Sequence, residues 1–315
     1  MSIVRESVMK KPVYVFCGDV HITDKKPIAR CDEPDWEDAQ FRVLDWLRDF
    51  CEASSATLVI GGDFLDKPVL PFSILNKIPK HLPRWCLSVL GNHEQFDKRS
   101  NSTVYDSAWH TLTLMDVWTA FAEPLDFYDM EVQMRLGLIP ATNSEEEFME
   151  YVEKVQTSDI VVMHKYVWSK SSGGYPGANE AHRADNISKL FPNAKWIFCS
   201  DNHRGFEDGN VINCGMLIRD NADLIDYKPR AWVLYSDGTI EPMYAPIDKD
   251  LITDRHLVAS KEAKANEEIF IRTLGESKDI SLSFEDNLKK VVDRLDSEPC
   301  KVYIMDTYES IKKGC

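Results

Sequence analysis

Five apolar runs in this chain each end in side chains of the kind that ligate metals, and they come in a fixed order. Val13–Cys17 leads into Gly18-Asp19-Val20-His21. Thr57–Ile60 leads into Gly61-Gly62-Asp63-Phe64-Leu65-Asp66. Trp85–Leu90 leads into Gly91-Asn92-His93-Glu94, Ile160–Met163 into His164, and Trp196–Cys199 into Ser200-Asp201-Asn202-His203. Short apolar runs bounded by turn residues read as buried strands. Between the first three lie a helical pattern over Asp35–Cys51, apolar at 36, 39, 43, 44, 47 and 50, and a short helix over Pro71–Pro79. Such β-α-β-α-β alternation predicts an α/β (α+β) fold with a mainly parallel sheet and helices packed on it. Sheets of that kind place their sites at the carboxyl ends of strands.

The middle of the chain is less regular. Tyr105–Trp118 should contain a helix. Glu145–Gln156 reads as one, apolar at 148, 149, 152 and 155. Ser171–Gly177 reads as a mobile loop. Val211–Gly215 and Ala231–Tyr235 read as closing strands, with Ser236–Thr239 as a hairpin turn. Trp85, Trp196 and Trp232 read as core residues of strands. Past about Ile247 the character changes. Thr253–Leu274 and Phe284–Leu295 read as charged helices, and Val302–Met305 as a short strand. The expected division is a catalytic domain over 1–248 and a small C-terminal α/β extension over 249–315.

Each polar motif is weak alone. An Asp-x-His in a loop is usually incidental, and a lone histidine at a strand end is more often a satisfied structural one. Their joint, ordered occurrence carries the argument. Asp19, His21, Asp63, Asn92, His164, Asp201 and His203 are too many ligands for one ion. They suit two, which in two-metal sites lie roughly 3.5–4 Å apart and clamp a phosphate. The oxygen and imidazole donors suit Mn²⁺, Fe²⁺ or Zn²⁺ better than Ca²⁺ or a soft, thiophilic metal. Phosphoester hydrolysis is the implied chemistry. Asp63, at a glycine-turned strand end, is placed to bridge. His93 points away from Asn92 and suits a proton donor, because histidine titrates near working pH. Glu94 reads as an orienting partner of His93 or as part of a polar turn. Asp66 reads as a neighbour that supports the site, or as a helix cap.

Composition bounds the rest. The chain has 315 residues, 43% hydrophobic and 28% charged, enough for a large core. No apolar run is long enough to span a membrane. Residues 1–11 lack an apolar stretch, so no signal peptide is expected. The eight cysteines are scattered with no Cys-x-x-Cys, which fits a reduced, cytoplasmic setting. The formal net charge of −15 counts against gripping nucleic acid by charge alone.

The ordered motif set resembles the calcineurin-like metallophosphoesterases, whose fold is a β-sandwich flanked by helices. That resemblance implies that Asp19, His21, Asp63 and His203 hold one ion. It implies that Asp63, Asn92, His164 and Asp201 hold the other, with His93 as proton donor. One departure stands out: the last motif usually reads Gly-His-x-His, and here Asp201 replaces the first histidine. The added negative charge favours Mn²⁺ or Mg²⁺ over zinc.

Within that superfamily the chain looks similar to the nuclease subunit of SbcCD-type DNA repair complexes, phage-type homologues included. Pro27–Arg30 with Asp32, Asn213–Asp223 and Lys228-Pro229-Arg230 carry the likeness, which covers residues 12–246. The protein-phosphatase branch fits worse, because Asp66 is followed by Lys67-Pro68 and not Arg-Gly. The leading reading is a metal-dependent DNA nuclease, with Arg30, Arg204 and Arg219 as phosphate contacts. An SbcC-like SMC-type ATPase would dock on the helices after about residue 250, and a homodimer is compatible. A phosphoesterase of a small substrate, such as a cyclic nucleotide or phosphomonoester, is the second reading. A non-enzymatic scaffold of the same fold is the third.

Overall fold

Alternation within the strands decides the architecture. In β1 (Pro12–Cys17), Tyr14 and Phe16 join one apolar cluster and Val15 and Cys17 another. In β2 (Thr57–Ile60), Val59 goes with the first and Leu58 and Ile60 with the second. Strands buried on both faces belong between two covering layers. The computed structural model describes residues 10–96, 101–255, 257, 284–295 and 297–314. Two compact units result, Met1–Ile252 and Thr253–Cys315.

The first unit holds two six-stranded sheets. One adds β3 (Cys86–Val89), β4 (Thr119–Phe121), β11 (Arg230–Tyr235) and β12 (Ile240–Tyr244), in the order β12-β11-β1-β2-β3-β4. Strands β1 to β4 run parallel, while β11 and β12 close the sheet antiparallel. The other comprises β5 (Leu125–Asp129), β6 (Met134–Ile139), β7 (Ile160–His164), β8 (Trp196–Ser200), β9 (Phe206–Asp208) and β10 (Val211–Asn213), in the order β5-β6-β7-β8-β10-β9. Pro242 sits in β12, an edge strand, where its missing N–H breaks no ladder.

Inner faces of the sheets meet in a shared core. Phe16 stacks on Phe198 with ring centroids 3.9 Å apart, and Val59, Val162 and Ile212 fill in around them. Burying each such side chain contributes about 1.5–3 kcal/mol relative to exposure. Outside the first sheet pack α1 (Trp36–Ser54), the single-turn α2 (Phe72–Leu75) and α3 (Ile78–His81), and α4 (Ala108–Leu114). Outside the second pack α5 (Glu145–Val155) and α6 (Ala184–Leu190). Asp35 and Ser144 cap α1 and α5, each accepting from the N–H three residues on. The fold is thus a two-sheet sandwich with helices on both faces.

Two expectations need correcting. Trp85 lies just outside β3 and is 61% exposed, whereas Trp232 is buried and Trp196 partly so. The Ser171–Gly177 loop carries a dense set of its own hydrogen bonds. The described part of the second unit is helical, α7 (Phe284–Asp293) and α8 (Glu298–Gly314), so Val302–Met305 is not a strand. The run Val-Tyr-Ile favours a strand locally. Here it is the middle of a 17-residue helix, and Val302 and Tyr303 are largely exposed. Most of the Thr253–Leu274 helix lies outside the described residues. Among the described residues, no helix is long and apolar enough to cross a membrane.

Candidate metal centre

The carboxyl ends of β1, β2, β3, β7 and β8 converge, and main-chain bonds cross-tie the loops that follow them. The N–H groups of Val20 and His21 both donate to the Asp63 carbonyl, at 2.9 and 3.0 Å. The Asp201 N–H donates to the Asp19 carboxylate at 2.9 Å, and Leu217 N–H to the Asp19 carbonyl at 3.1 Å. Asp19, His21, Asp63 and Asp201 all adopt positive φ, at 41°, 53°, 49° and 76°. Such conformations cost about 1–3 kcal/mol each and persist where surrounding structure over-determines them. Two glycines permit the close approach. A Cβ on Gly62 would fall 2.2 Å from His164 Nδ1, and one on Gly91 2.1 Å from the Asp63 nitrogen.

Asp63 is the hub. Its carboxylate lies within reach of two donor sets, one with His21 and His93 and the other with Asp19 and His164. Asp63 Oδ2 is 3.9 Å from His21 Nε2 and 3.4 Å from His164 Nε2. His203 brings its ring centroid within 5.0 Å of His21. Asn92 and Asp201 meet on the other side, Nδ2 to Oδ1 at 3.5 Å.

Tautomers follow from the carbonyls. Gly61 O lies 3.0 Å from His164 Nδ1, and a carbonyl only accepts, so Nδ1 carries a proton and Nε2 is the atom turned toward Asp63. Asp66 O does the same for His93 Nδ1 at 2.8 Å, leaving Nε2 free.

Three buried polar atoms at this spot have no hydrogen-bond partner: His21 Nε2, His164 Nε2 and Asn92 Oδ1. Native proteins seldom leave such atoms unpaired without a reason. Each is the atom of its residue that would bind a cation, so the residues present fit a two-cation site.

Electrostatics agree. Burial, with Asp63 and Asp201 adding to it, pushes the Asp19 carboxyl up to about 8. Burial likewise raises Asp201. Burial lowers His21 to about 3 and lowers His203, so both rings stay neutral and keep a lone pair. Burial opposes ionisation of both Asp63 and His164, yet their attraction for each other holds Asp63 below, and His164 above, its usual range. Carboxylates packed this closely, beside the His21 and His203 rings that burial holds neutral, want more positive charge than His164 alone supplies.

Comparison with known families decides what the centre belongs to: the calcineurin-like phosphoesterase profile matches residues 13–205. The chain belongs to that family. Its members are metal-dependent hydrolases that hold two divalent ions. No curated protein sequence matches the chain. Among solved structures, the calcineurin-like phosphoesterase YfkN from Bacillus subtilis is similar at 11% identity and a TM-score of 0.43, covering 78% of this chain and 93% of its own. A 5′-nucleotidase precursor from Thermus thermophilus gives 13% identity and a TM-score of 0.40, covering 81% and 59%. A protein of unknown function from Aquifex aeolicus gives 16% and 0.33, covering 50% and 81%.

Against the family frame, several expected site residues do something else. Glu94 does not orient His93. It is fully buried and accepts from the N–H groups of Leu65 and Gly91, both at 2.9 Å, so it braces two ligand loops. Burial raises it to about 8. Asp66 is the residue beside His93: its carbonyl fixes the ring, and its carboxylate lies 3.9 Å from both His21 and His93.

Arg30 and Arg219 are not surface phosphate contacts. Arg30 is 1% exposed, paired with Glu33 at 2.7 Å and Asp250 at 3.3 Å, and donates to Arg219 O. Arg219 pairs with Asp250 at 3.2 Å. An arginine near a motif is legible in sequence, but the carboxylates that draw it inward, 3 to 220 positions away, are not. Arg204 stays exposed and donates to the Asp223 carbonyl. Sequence reasoning missed Tyr166, two residues past His164, and Asp220, which burial and the nearby Asp66 raise to about 6.

Proposed function

We propose that this chain is a two-cation phosphodiesterase that cleaves DNA, an SbcD-like nuclease of repair, recombination or replication. The sharing of Asp63 between two donor sets carries the hydrolytic part of the reading. The sequence likeness over residues 12–246 supports the DNA part. Asp19, His21, Asp63 and His203 would hold one cation, and Asp63, Asn92, His164 and Asp201 the other. When bound, the two cations supply positive charge to the phosphate oxygens. Mn²⁺ suits the oxygen-rich donors and the extra carboxylate of Asp201.

The chain's own groups do the rest. His93, its Nδ1–H held by the Asp66 carbonyl, turns Nε2 outward; in its imidazolium form it gives the Nε2 proton to the leaving oxygen and is left neutral. Glu94 and the cross-tied loops keep Asp63 and His93 in register; His93 N–H donates to Asp63 Oδ1 at 2.9 Å. We further propose that catalysis belongs to residues 1–248, in the cytoplasm. The helices after residue 250 would receive an SMC-type ATPase, and the chain could form a homodimer.

One observation favours the small-substrate alternative. With Arg30 and Arg219 spent inside the fold and a net charge of −15, little positive surface remains for a long duplex. A panel of labelled single- and double-stranded DNA beside bis-p-nitrophenyl phosphate, with Mn²⁺, Mg²⁺ or chelator, tests both. Metal-dependent cleavage of DNA supports the nuclease. Turnover of the small ester alone shifts the reading to a small-substrate phosphodiesterase, and no turnover in any arm leaves the scaffold.

A further inference from the structure

A pair of tyrosines stands on the segment that leaves the centre: Tyr166 feels the Asp201 carboxylate, and its hydroxyl accepts from the Tyr175 backbone N–H, which seats one ring against the other. Tyr166 follows His164 by two residues on the segment leaving β7, and its ring lies 4.9 Å from that of Tyr175, edge to face at 61°. Tyr175 is 57% exposed. The segment is fixed to the ligand loops, because Asn202, between Asp201 and His203, donates its side-chain N–H to the Val167 carbonyl at 2.8 Å.

The loop bearing Tyr175 is built, not slack. It wraps the Trp168 ring so closely that a Cβ on Gly174 would sit 3.1 Å from Trp168 Cδ2. Trp168 Nε1 donates to the Asn179 carbonyl at 3.0 Å. Ser169 gathers the hydroxyls of Ser171 and Ser172 at 2.9 and 3.0 Å, and Ala178 N–H closes back on the Tyr175 carbonyl at 2.9 Å. Gly173 and Gly177 supply the positive φ, 71° and 88°, that these turns need.

We propose that Tyr166 and Tyr175 form a stacking platform for an unpaired nucleobase next to the scissile phosphate. This rests on the phosphodiesterase reading above. An edge-to-face pair leaves a π-face open, and every base has a π-face, so the platform is blind to sequence. The chain's acidity makes such a device necessary: charge cannot hold the strand, so the cations must hold the phosphate and the rings must hold the base. Bases within a duplex are already stacked, so the platform selects single strands and frayed ends.

Two esters with one leaving group test this: thymidine 5′-(p-nitrophenyl phosphate), which has a base, and ethyl p-nitrophenyl phosphate, which has none. Tyr175→Ala should lower kcat/KM for the thymidine ester about 10-fold, mainly through KM, and leave the ethyl ester within about twofold. Tyr175→Phe should behave as the natural chain on both. Equal losses on the two esters, or no loss on either, overturn the platform. Fluorescence anisotropy of a labelled oligothymidylate, with Mn²⁺ present, reads binding apart from turnover. Weaker binding by Tyr175→Ala upholds the platform even if the natural chain cleaves neither ester and the phosphodiesterase reading falls; equal binding overturns it.

Discussion

Two clusters of buried charge sit in the first unit, and they are resolved in opposite ways. Around Arg30, Arg42 and Arg219, the fold supplies Glu33 and Asp250, and every guanidinium has a carboxylate within 4 Å. Around Asp63, the fold supplies more carboxylates and neutral imidazoles, and leaves His21, His164 and Asn92 with unpartnered atoms. Both clusters paid for desolvation in folding. The first is neutralised by the chain's own carboxylates, although Arg30 Nε, Arg42 Nη2 and Arg219 Nε make no hydrogen bond, so it is architecture. The second gathers carboxylates and cation-binding atoms that the chain does not neutralise, and that excess marks it as the working site.

The comparison breaks first at Asp63. Asp63→Asn should remove most activity and both bound ions together, because the two donor sets share that carboxylate. Metal content by elemental analysis, with circular dichroism to show an intact fold, checks this; near-normal turnover would sink the two-cation reading. Next comes His93→Ala. It should lower turnover on the order of 10²–10⁴-fold while metal content holds, since the lost group moves a proton. Loss of metal instead would make His93 a ligand.

The other cluster should respond in stability and not in chemistry. Arg219→Met leaves Asp250 short of a partner and should cost about 3 kcal/mol, a Tm drop on the order of 10 °C. Metal stoichiometry should not change; a loss of metal would join the two clusters that are here held apart. The smallest effect is expected at Asp201→His. Activity should persist while metal preference moves toward softer ions, read from relative rates with Mn²⁺ and Zn²⁺. An unchanged preference would mean that Asp201 does not touch a cation.

Legibility followed the same divide. The strands ending in Asp19, Asp63, Asn92, His164 and Asp201 announced themselves, because an apolar run with a polar terminus is a local signal. The grouping of those residues was inferable from their order. Short or half-exposed strands gave no such signal: β4 has three residues, and β5 has no fully buried position. Roles set by distant partners were also hidden. Glu94 looks in sequence like a neighbour of His93, yet its hydrogen bonds go to Leu65 and Gly91. The fate of Arg30 depended on Asp250, and nothing near Arg30 reveals it.

The cross-tied loops also set a timetable. Asp19, Asp63 and Asn92 belong to the first sheet, and His164 and Asp201 to the second. Neither sheet owns a complete site, and the donors span residues 19 to 203. A growing or refolding chain therefore has no complete place for two ions until the two halves of the sandwich have docked, although His21, Asp63 and His93 all follow strands of the first sheet. Such long-range closure is slow, because loop entropy is lost before contacts repay it. The donors on both sheets would then hold the cations in common, which would tie one half to the other. Catalytic competence and completed assembly are then the same event, and a half-made molecule lacks a complete centre.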